Sequence, residues 1–154
     1  MSKWQRFRKL PALERGVLLR SLLLLPLTAA ALRTIGFRRW KLFLTKFSGH
    51  MNSKAAVTCE ALRSARRSAK MVAAAAKEGI VHGECLEQSI VLWWLLLRMH
   101  MPAELCIGAR QSEKGFEAHA WVEIHGSIVN DTESVIGNYA AFTKDVGTLG
   151  VEPH

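Results

Sequence analysis

Residues 90–97 form an unbroken run of eight apolar side chains that includes two adjacent tryptophans. A helix that is apolar on every side must be buried on every side. The whole predicted helix, from about residue 84 to residue 100 with Pro102 as its stop, is shorter than the roughly 20 residues that span a bilayer. We therefore predict a buried helix at the centre of a globular domain.

After the central helix, the apolar residues recur at every second position, which is typical of strands. One strand is expected at about residues 104–109. Two further runs, residues 118–124 and 127–131, flank a turn at His125 and Gly126 and predict a β-hairpin. Helices followed by a small antiparallel sheet indicate the α+β class.

The N-terminal region, residues 1–50, is both basic and apolar. It carries eleven Lys and Arg residues against one acidic residue, whereas residues 81–154 carry four against ten. The net charge of +8 therefore combines a basic N-terminal region with an acidic C-terminal half. The uncharged run at residues 21–32 resembles a signal peptide. It is bracketed closely by Arg20 and Arg33, and we interpret it as a buried or partner-facing helix.

Three helices are expected before the central one. Leucines at helical spacing predict the first, which Pro26 would kink or divide. A second, short and basic, covers about residues 35–47. The third begins at a cap supplied by Asn52 or Ser53, presents a face of small residues, and ends at Gly79.

The chain contains three cysteines, Cys59, Cys85 and Cys106, at wide spacing. An odd count without close pairs argues against a disulfide framework and fits a reducing cytoplasm. Without a CxxC pair we expect no structural zinc and no other metal. Cys59 and Cys106 lie in apolar runs and are interpreted as small core residues, whereas Cys85 opens the central helix.

Cys85, His119 and Asp131 stand in the order that a thiol hydrolase of the papain or transglutaminase type requires. A helix N-terminus and a neighbouring imidazolium both favour the nucleophilic thiolate. Asp131 would orient the imidazole, and the Cys85 N–H would help to stabilise an oxyanion. The alternative is a packed cysteine and an ordinary polar histidine, and spacing leaves both open. Glu123 and Asn130 are interpreted as surface positions.

The triad hypothesis places a demand on the hairpin loop. His119 and Trp121 share one face of their strand because side chains alternate. A two-residue loop would set Asp131 opposite Ala120, on the wrong face, whereas a three-residue loop would set it opposite Trp121 and diagonal to His119. The triad therefore predicts an odd loop, with a bulge at Gly126.

Residues 85–131 contain four short motifs: Cys-Leu-x-x-Ser-Ile, Pro-Ala-Glu-Leu-x-Ile-Gly, Ala-His-Ala-Trp-Val-Glu and Val-Asn-Asp. Together they resemble the lasso peptide biosynthesis B2 proteins, which are transglutaminase-like cysteine proteases, and the similarity extends more weakly upstream to residues 36–40. The resemblance implies a central helix packed on a small antiparallel sheet. It also implies an N-terminal helical region, residues 1–50, and a transglutaminase-like catalytic domain, residues 51–154.

The same resemblance implies that Cys85, His119 and Asp131 are the catalytic triad of a cytoplasmic leader peptidase that needs no cofactor. Its substrate would be a ribosomally synthesised lasso precursor peptide, whose leader segment forms an acyl-enzyme that water hydrolyses. One departure is Glu87-Gln88, where family members commonly carry Pro-Arg. This departure puts substrate contacts at that turn in doubt and leaves the triad intact.

The resemblance further implies three partners: the precursor (leader) peptide, a separate leader-recognition protein and the ATP-dependent lasso cyclase. We expect residues 1–50 to provide the docking surface. Membrane-surface association is an alternative, because basic residues interleaved with Trp and Phe also suit a lipid interface.

Two other functions fit the same residues. An acyltransferase or transglutaminase-type enzyme would use the same triad with an amine as acceptor, and a non-catalytic peptide-binding module would retain only the fold. The basic N-terminal half contains no recognised nucleic-acid-binding motif, so no nucleic-acid partner is expected.

Overall fold

The computed structural model describes residues 8–48, 57–79, 83–113, 115–132 and 137–143. Within these ranges four long helices precede a small sheet: α1 (Ala12–Thr34), α2 (Phe37–Lys46), α3 (Cys59–Glu78), α4 (Cys85–Arg98), β1 (Ala103–Ser112), β2 (Gly115–Ile124), β3 (Ser127–Ile128) and β4 (Ala140–Thr143). The predicted α+β class, with a central helix on a small antiparallel sheet, is confirmed.

The sheet has the strand order β3-β2-β1-β4, and every neighbouring pair in it is antiparallel. Its two faces have different surroundings. One face, which includes Leu105 opposite Val122, joins the main hydrophobic core with the helices. The other face, which includes Cys106 opposite Trp121, forms a separate small cluster. The predicted first strand and the hairpin around His125 and Gly126 are confirmed. The return strand of the hairpin, predicted for residues 127–131, ends at Ile128, and β4 was not predicted.

α4 is buried on nearly all sides, as its sequence predicts. Its buried side chains are Ser89, Ile90, Val91, Leu92, Trp93, Leu95, Leu96 and Leu97. They pack against α1 and α3 and against the inner face of β1 and β2. Truncating one of these large side chains to Ala would cost about 2–5 kcal/mol. The helix that begins at Cys85 is therefore firmly held in the fold.

The C-terminal end of α4 is a Schellman motif centred on His100, whose φ of 57° lies in the left-handed region. The His100 N–H donates to the Leu97 carbonyl and the Met101 N–H donates to the Leu96 carbonyl, both at 3.0 Å. These are the two hydrogen bonds of that motif. The stop therefore comes from His100 and not, as predicted, from Pro102.

α1 continues through Pro26 without a break, so of the two predicted effects, a kink or a division, Pro26 does not cause the division. A proline inside a helix removes one hydrogen bond and costs about 3 kcal/mol or more. Leu25 and Ala29, on either side of it, are buried in the protein, and this packing holds both halves of the helix together. By length and apolar composition, α1 is also the one candidate membrane span found among the described residues, and one third of that span is buried.

The N-terminal cap of α3 is Thr58, whose hydroxyl accepts a hydrogen bond from the Ala61 N–H at 3.1 Å. The predicted caps, Asn52 and Ser53, lie outside the described residues. Since α3 begins at Cys59 and this residue is exposed, its interpretation as a core residue is wrong. Cys106 is buried as predicted, and α3 ends before Gly79 as predicted.

Candidate active site

The structure brings His119 and Asp131 into direct contact. Nε2 of the imidazole lies 2.5 Å from Oδ2 of the carboxylate, and the two side chains are 22% and 29% exposed. The Thr132 N–H donates to the other carboxylate oxygen at 2.7 Å. Since Asp131 occupies Nε2, the ring nitrogen left for a thiol is Nδ1. Within the described residues, no group of three or more His, Cys, Asp or Glu side chains is placed to hold a metal ion.

The loop that precedes Asp131 differs from the predicted one. Ile124 pairs with Ser127, so the hairpin loop has two residues, His125 and Gly126. Their φ angles of 47° and 78° are both positive, as a type I′ turn requires. The predicted three-residue loop with a bulge is therefore wrong.

Asp131 reaches the imidazole because the regular strand pairing with β2 stops at Asn130, the residue before it. β3 ends at Ile128, and the Val129 N–H still donates to the Val122 carbonyl at 2.9 Å. The Val122 N–H, however, donates to Oδ1 of Asn130 at 2.8 Å. A side-chain amide thus takes the place of a main-chain acceptor, and strand alternation no longer decides which face Asp131 takes.

Asn130 and Ser89 link this segment to α4. Nδ2 of Asn130 donates to the Ser89 hydroxyl at 3.0 Å, and that hydroxyl donates to the Ala120 carbonyl at 2.9 Å. Ser89 is fully buried and lies one helical turn after Cys85. The interpretation of Asn130 as an ordinary surface position is wrong, because its amide joins the helix to the hairpin.

Cys85 is the first residue of α4, and its thiol is free and partly exposed. The helical hydrogen bonds begin with the Gln88 N–H, which donates to the Glu84 carbonyl at 3.1 Å. The N–H groups of Cys85 and the next two residues therefore have no partner inside the helix, and such groups suit an anion. The Gln88 side chain also donates to the Gly83 carbonyl at 2.6 Å, which fixes the turn before the cysteine.

Cys85 begins the helix on one face of the sheet, and His119 projects from the other face. α4 packs on the inner face, whereas His119 shares the outer face with Trp121. Within the described residues, no hydrogen bond joins the Cys85 thiol to the His119 ring. The structure thus unites His119 with Asp131 and leaves the role of Cys85 a prediction.

Two aromatic rings flank the imidazole of His119. Ring centroids lie 6.2 Å away for Trp121 and 5.2 Å away for Tyr139. The Trp121 N–H donates to the Glu123 carboxylate at 2.8 Å, and Glu123 is only 4% exposed. Its interpretation as a surface position is therefore wrong. Strand alternation explains the spacing of the motif at residues 118–123, because it places His119, Trp121 and Glu123 on one face of β2.

Tyr139 is held at the rim of the site by an ion pair on the same sheet face. The Arg110 guanidinium lies 2.7 Å from the Glu117 carboxylate and 4.9 Å from the centroid of the Tyr139 ring. Hydrogen bonds from Arg110 and then Ser112 hold the pKa of Glu117 below its ordinary value. Tyr139 gave no signal in the sequence, because the segment after residue 132 has no clear pattern.

An open cleft of about 330 Å³ adjoins Asp131, between α3 and residues 128–131. Ala69 and Val129 contribute apolar surface to its lining. Arg66 and Lys70, one turn apart on α3, are exposed on its wall and form no salt bridge with a described residue. The cleft therefore offers positive charge and apolar surface next to the His–Asp pair.

A family model described as the transglutaminase-like superfamily matches residues 22–144, which is most of the chain. The matched stretch begins inside α1 and includes Cys85, His119 and Asp131. No curated protein and no solved structure gives a significant match to this chain.

Proposed function

Since the chain belongs to the transglutaminase-like superfamily, we propose that it is a cysteine peptidase with Cys85, His119 and Asp131 as its triad. The contact between His119 and Asp131 carries the proposal. It is supported by the position of Cys85 at the start of a buried helix, where N–H groups without a partner inside the helix favour a thiolate and a developing oxyanion.

In this proposal, Nδ1 of His119 takes the proton of the Cys85 thiol, and the thiolate attacks the carbonyl carbon of the scissile bond. The N–H of Cys85 donates to the oxyanion. The imidazolium then protonates the leaving amine, and the C–N bond breaks to leave a thioester. A water molecule, deprotonated by His119, hydrolyses the thioester and restores the thiol. Asp131 keeps the ring in place throughout.

The substrate that we propose is the leader segment of a ribosomally synthesised lasso precursor peptide. The sequence motifs at residues 85–131, which resemble those of lasso leader peptidases, support this specificity. The cleft beside Asp131 is the place that we propose for the peptide. Cleavage would free the N-terminus of the core peptide for a separate ATP-dependent cyclase. The odd count of three cysteines suits a reducing cytoplasm, where this pathway would operate.

The N-terminal helices and their connection carry nine large apolar side chains that are exposed, and we call this set the N-terminal patch. It consists of Leu13, Leu19, Leu22, Leu23, Leu27, Ile35, Leu42, Phe43 and Phe47, each at least 37% exposed. Exposed apolar patches commonly mark interaction sites. We propose that the leader-recognition protein docks here. A protein bound to this patch would also contact the basic residues of the same helices.

Deleting residues 1–50 would also remove core residues such as Val17 and Leu44, so substitutions test the patch more cleanly. Leu23→Glu with Leu27→Glu should abolish stimulation of cleavage by the recognition protein. Phe116→Glu, an equally drastic change at an exposed apolar residue on β2, serves as the control. Loss of binding to anionic vesicles, with stimulation unchanged, would instead assign the patch to a membrane surface.

The decisive experiment is leader cleavage by the wild type and by Cys85→Ala, followed by mass spectrometry with a precursor peptide encoded near the gene. Cys59→Ala, which removes an exposed thiol elsewhere, is the matched control. Cleavage should require Cys85 and not Cys59. Full activity of Cys85→Ala in the pathway would favour a non-catalytic peptide-binding module. Products that carry the mass of an added amine would favour an acyltransferase.

A further inference from the structure

Ser89 and Asn130 form a hydrogen-bonded strap between the three segments that carry the candidate triad. We infer that these two side chains are positioning residues that set the approach of the Cys85 thiol to the His119 ring. The inference rests on the proposed function, because it assigns them a role in the same site. Neither residue was singled out as functional in the sequence.

The strap is an ordered chain of three hydrogen bonds. The Val122 N–H donates to Oδ1 of Asn130, Nδ2 of Asn130 donates to the Ser89 hydroxyl, and that hydroxyl donates to the Ala120 carbonyl. The amide thus uses its oxygen and its nitrogen, and the hydroxyl both donates and accepts. Such oriented chains reinforce each of their bonds.

Every member of the strap lies close in sequence to a triad residue. Ala120 follows His119, and Asn130 precedes Asp131. Ser89 lies four residues after Cys85 and therefore on the same face of α4, one turn further along. A shift of the helix along the sheet would change the position of the thiol relative to His119 and would break the bond from Ser89 to Ala120.

The remaining contacts between α4 and the inner face of the sheet include many apolar ones, such as those of Ile90 and Val122 in the main core. Hydrophobic burial is not directional and tolerates small slides, whereas hydrogen bonds weaken steeply with misalignment. A displacement of 1 Å in an active site can cost about 100-fold in rate. Ser89, the one polar residue among the buried side chains of α4, thus fixes a distance that packing alone does not fix.

The test compares the kinetics of Ser89→Ala and Asn130→Ala with those of Ser68→Ala. Ser68 is a fully buried serine on α3 whose hydroxyl has no hydrogen-bond partner among the described residues, so its truncation is the matched control. The two strap variants should lower kcat for peptide cleavage by roughly 10–100-fold with KM little changed. Because they interrupt one chain, the double variant should be only slightly worse than either single variant.

A second readout needs no peptide substrate and works at temperatures where each variant is folded. Mass spectrometry follows the alkylation of Cys85 by iodoacetamide across pH. A thiol held beside an imidazole reacts at lower pH than an ordinary thiol. In Ser89→Ala and Asn130→Ala this dependence should move toward that of an ordinary thiol, whereas Ser68→Ala should match the wild type. Ser89→Thr, which keeps the hydroxyl, should restore activity above that of Ser89→Ala.

The outcomes separate the two proposals. An inactive wild type whose Cys85 reacts like an ordinary thiol would overturn the proposed function. An active wild type, with strap variants that keep kcat and the alkylation profile of Ser68→Ala, would overturn the positioning role alone. If Ser89→Ala does not fold, Asn130→Ala decides the question, because Asn130 lies in a partly exposed segment outside the helix core.

Discussion

Gly108 lies directly opposite His119 in the β1–β2 pair, and the ring of Trp121 fills the space over it. A Cβ at this position would lie 2.9 Å from Cη2 of Trp121 and 3.1 Å from the carbonyl oxygen of Ala140. One neighbour is backbone, and the other is a buried ring that Glu123 holds by a hydrogen bond. We therefore expect Gly108→Ala to overpack the sheet beside the candidate site.

The size of this effect follows from two opposing terms. Overpacking costs about 1–3 kcal/mol, and the reduced freedom of the unfolded chain returns about 0.4–1 kcal/mol. The net loss in the free energy of unfolding should be roughly 1–2 kcal/mol. For a chain of 154 residues this lowers Tm by roughly 2–8 °C, measured by calorimetry. Since the displaced ring flanks His119, kcat for peptide cleavage should also fall.

Gly16→Ala is the control, because a Cβ at Gly16 meets nothing within 4 Å and the residue lies inside α1. Helix propensity predicts that this change stabilises the protein by about 0.5–1 kcal/mol. The same substitution should thus have opposite signs at the two glycines. A Gly108→Ala protein that melts at or above the wild-type temperature, with unchanged tryptophan fluorescence, would refute the packing argument.

Three other predictions concern the site and its rim. Asp131→Ala should lower kcat for leader cleavage by about 100-fold or more, because the imidazole loses its orienting partner. Arg66→Gln with Lys70→Gln should lower kcat/KM up to about 5-fold for peptides with Asp or Glu near the scissile bond, and spare their amide analogues. Arg110→Gln should raise the pKa of Glu117 toward its ordinary value, measured by NMR titration. Since the folded-state pKa is lowered, the stabilisation by this pair is present above the ordinary carboxyl pKa and is lost as pH falls through the folded value.

Each of these predictions has a result that would contradict it. Unchanged cleavage by a folded Asp131→Ala protein would remove Asp131 from the mechanism. The cleft prediction needs Arg63→Gln as a control on the same helix, and equal effects on acidic and amide peptides would contradict it. A Glu117 titration that does not move in Arg110→Gln would show that another group lowers its pKa.

The central helix and the strands that follow it could be predicted because their signals are local. Eight consecutive apolar residues at 90–97 have one stable solution, and the alternating runs at about residues 104–109 and 118–124 have another. His119 and Asp131 could be paired as site residues because the order cysteine, histidine, aspartate along the chain indicated a thiol hydrolase. The helix stop at His100 could not be predicted, since a left-handed histidine competes with the stronger apparent signal of Pro102.

The parts that were missed depend on contacts between side chains and distant backbone. Alternation gave the wrong loop because nothing local shows that the Asn130 amide replaces a main-chain acceptor. Glu123 looked like a surface residue because it is acidic. The sequence does not show that the Trp121 N–H donates to it and so lowers the cost of burying it. β4 pairs Ala140 with Ala109 across thirty residues of chain, and neither residue carries a pattern that reveals the pairing.

The early end of β3 has a consequence for how the protein handles extended chains. An uncovered strand edge recruits other strands, which leads to aggregation or to capture of extended peptides by strand addition. On β2 the first backbone donor beyond the end of β3 is the Val122 N–H, and the Asn130 side chain already occupies it. A peptide that added to this edge as a strand would find that donor already paired. The Asn130 amide thus makes this position of β2 less open to strand addition by the unfolded segments that we propose as substrates.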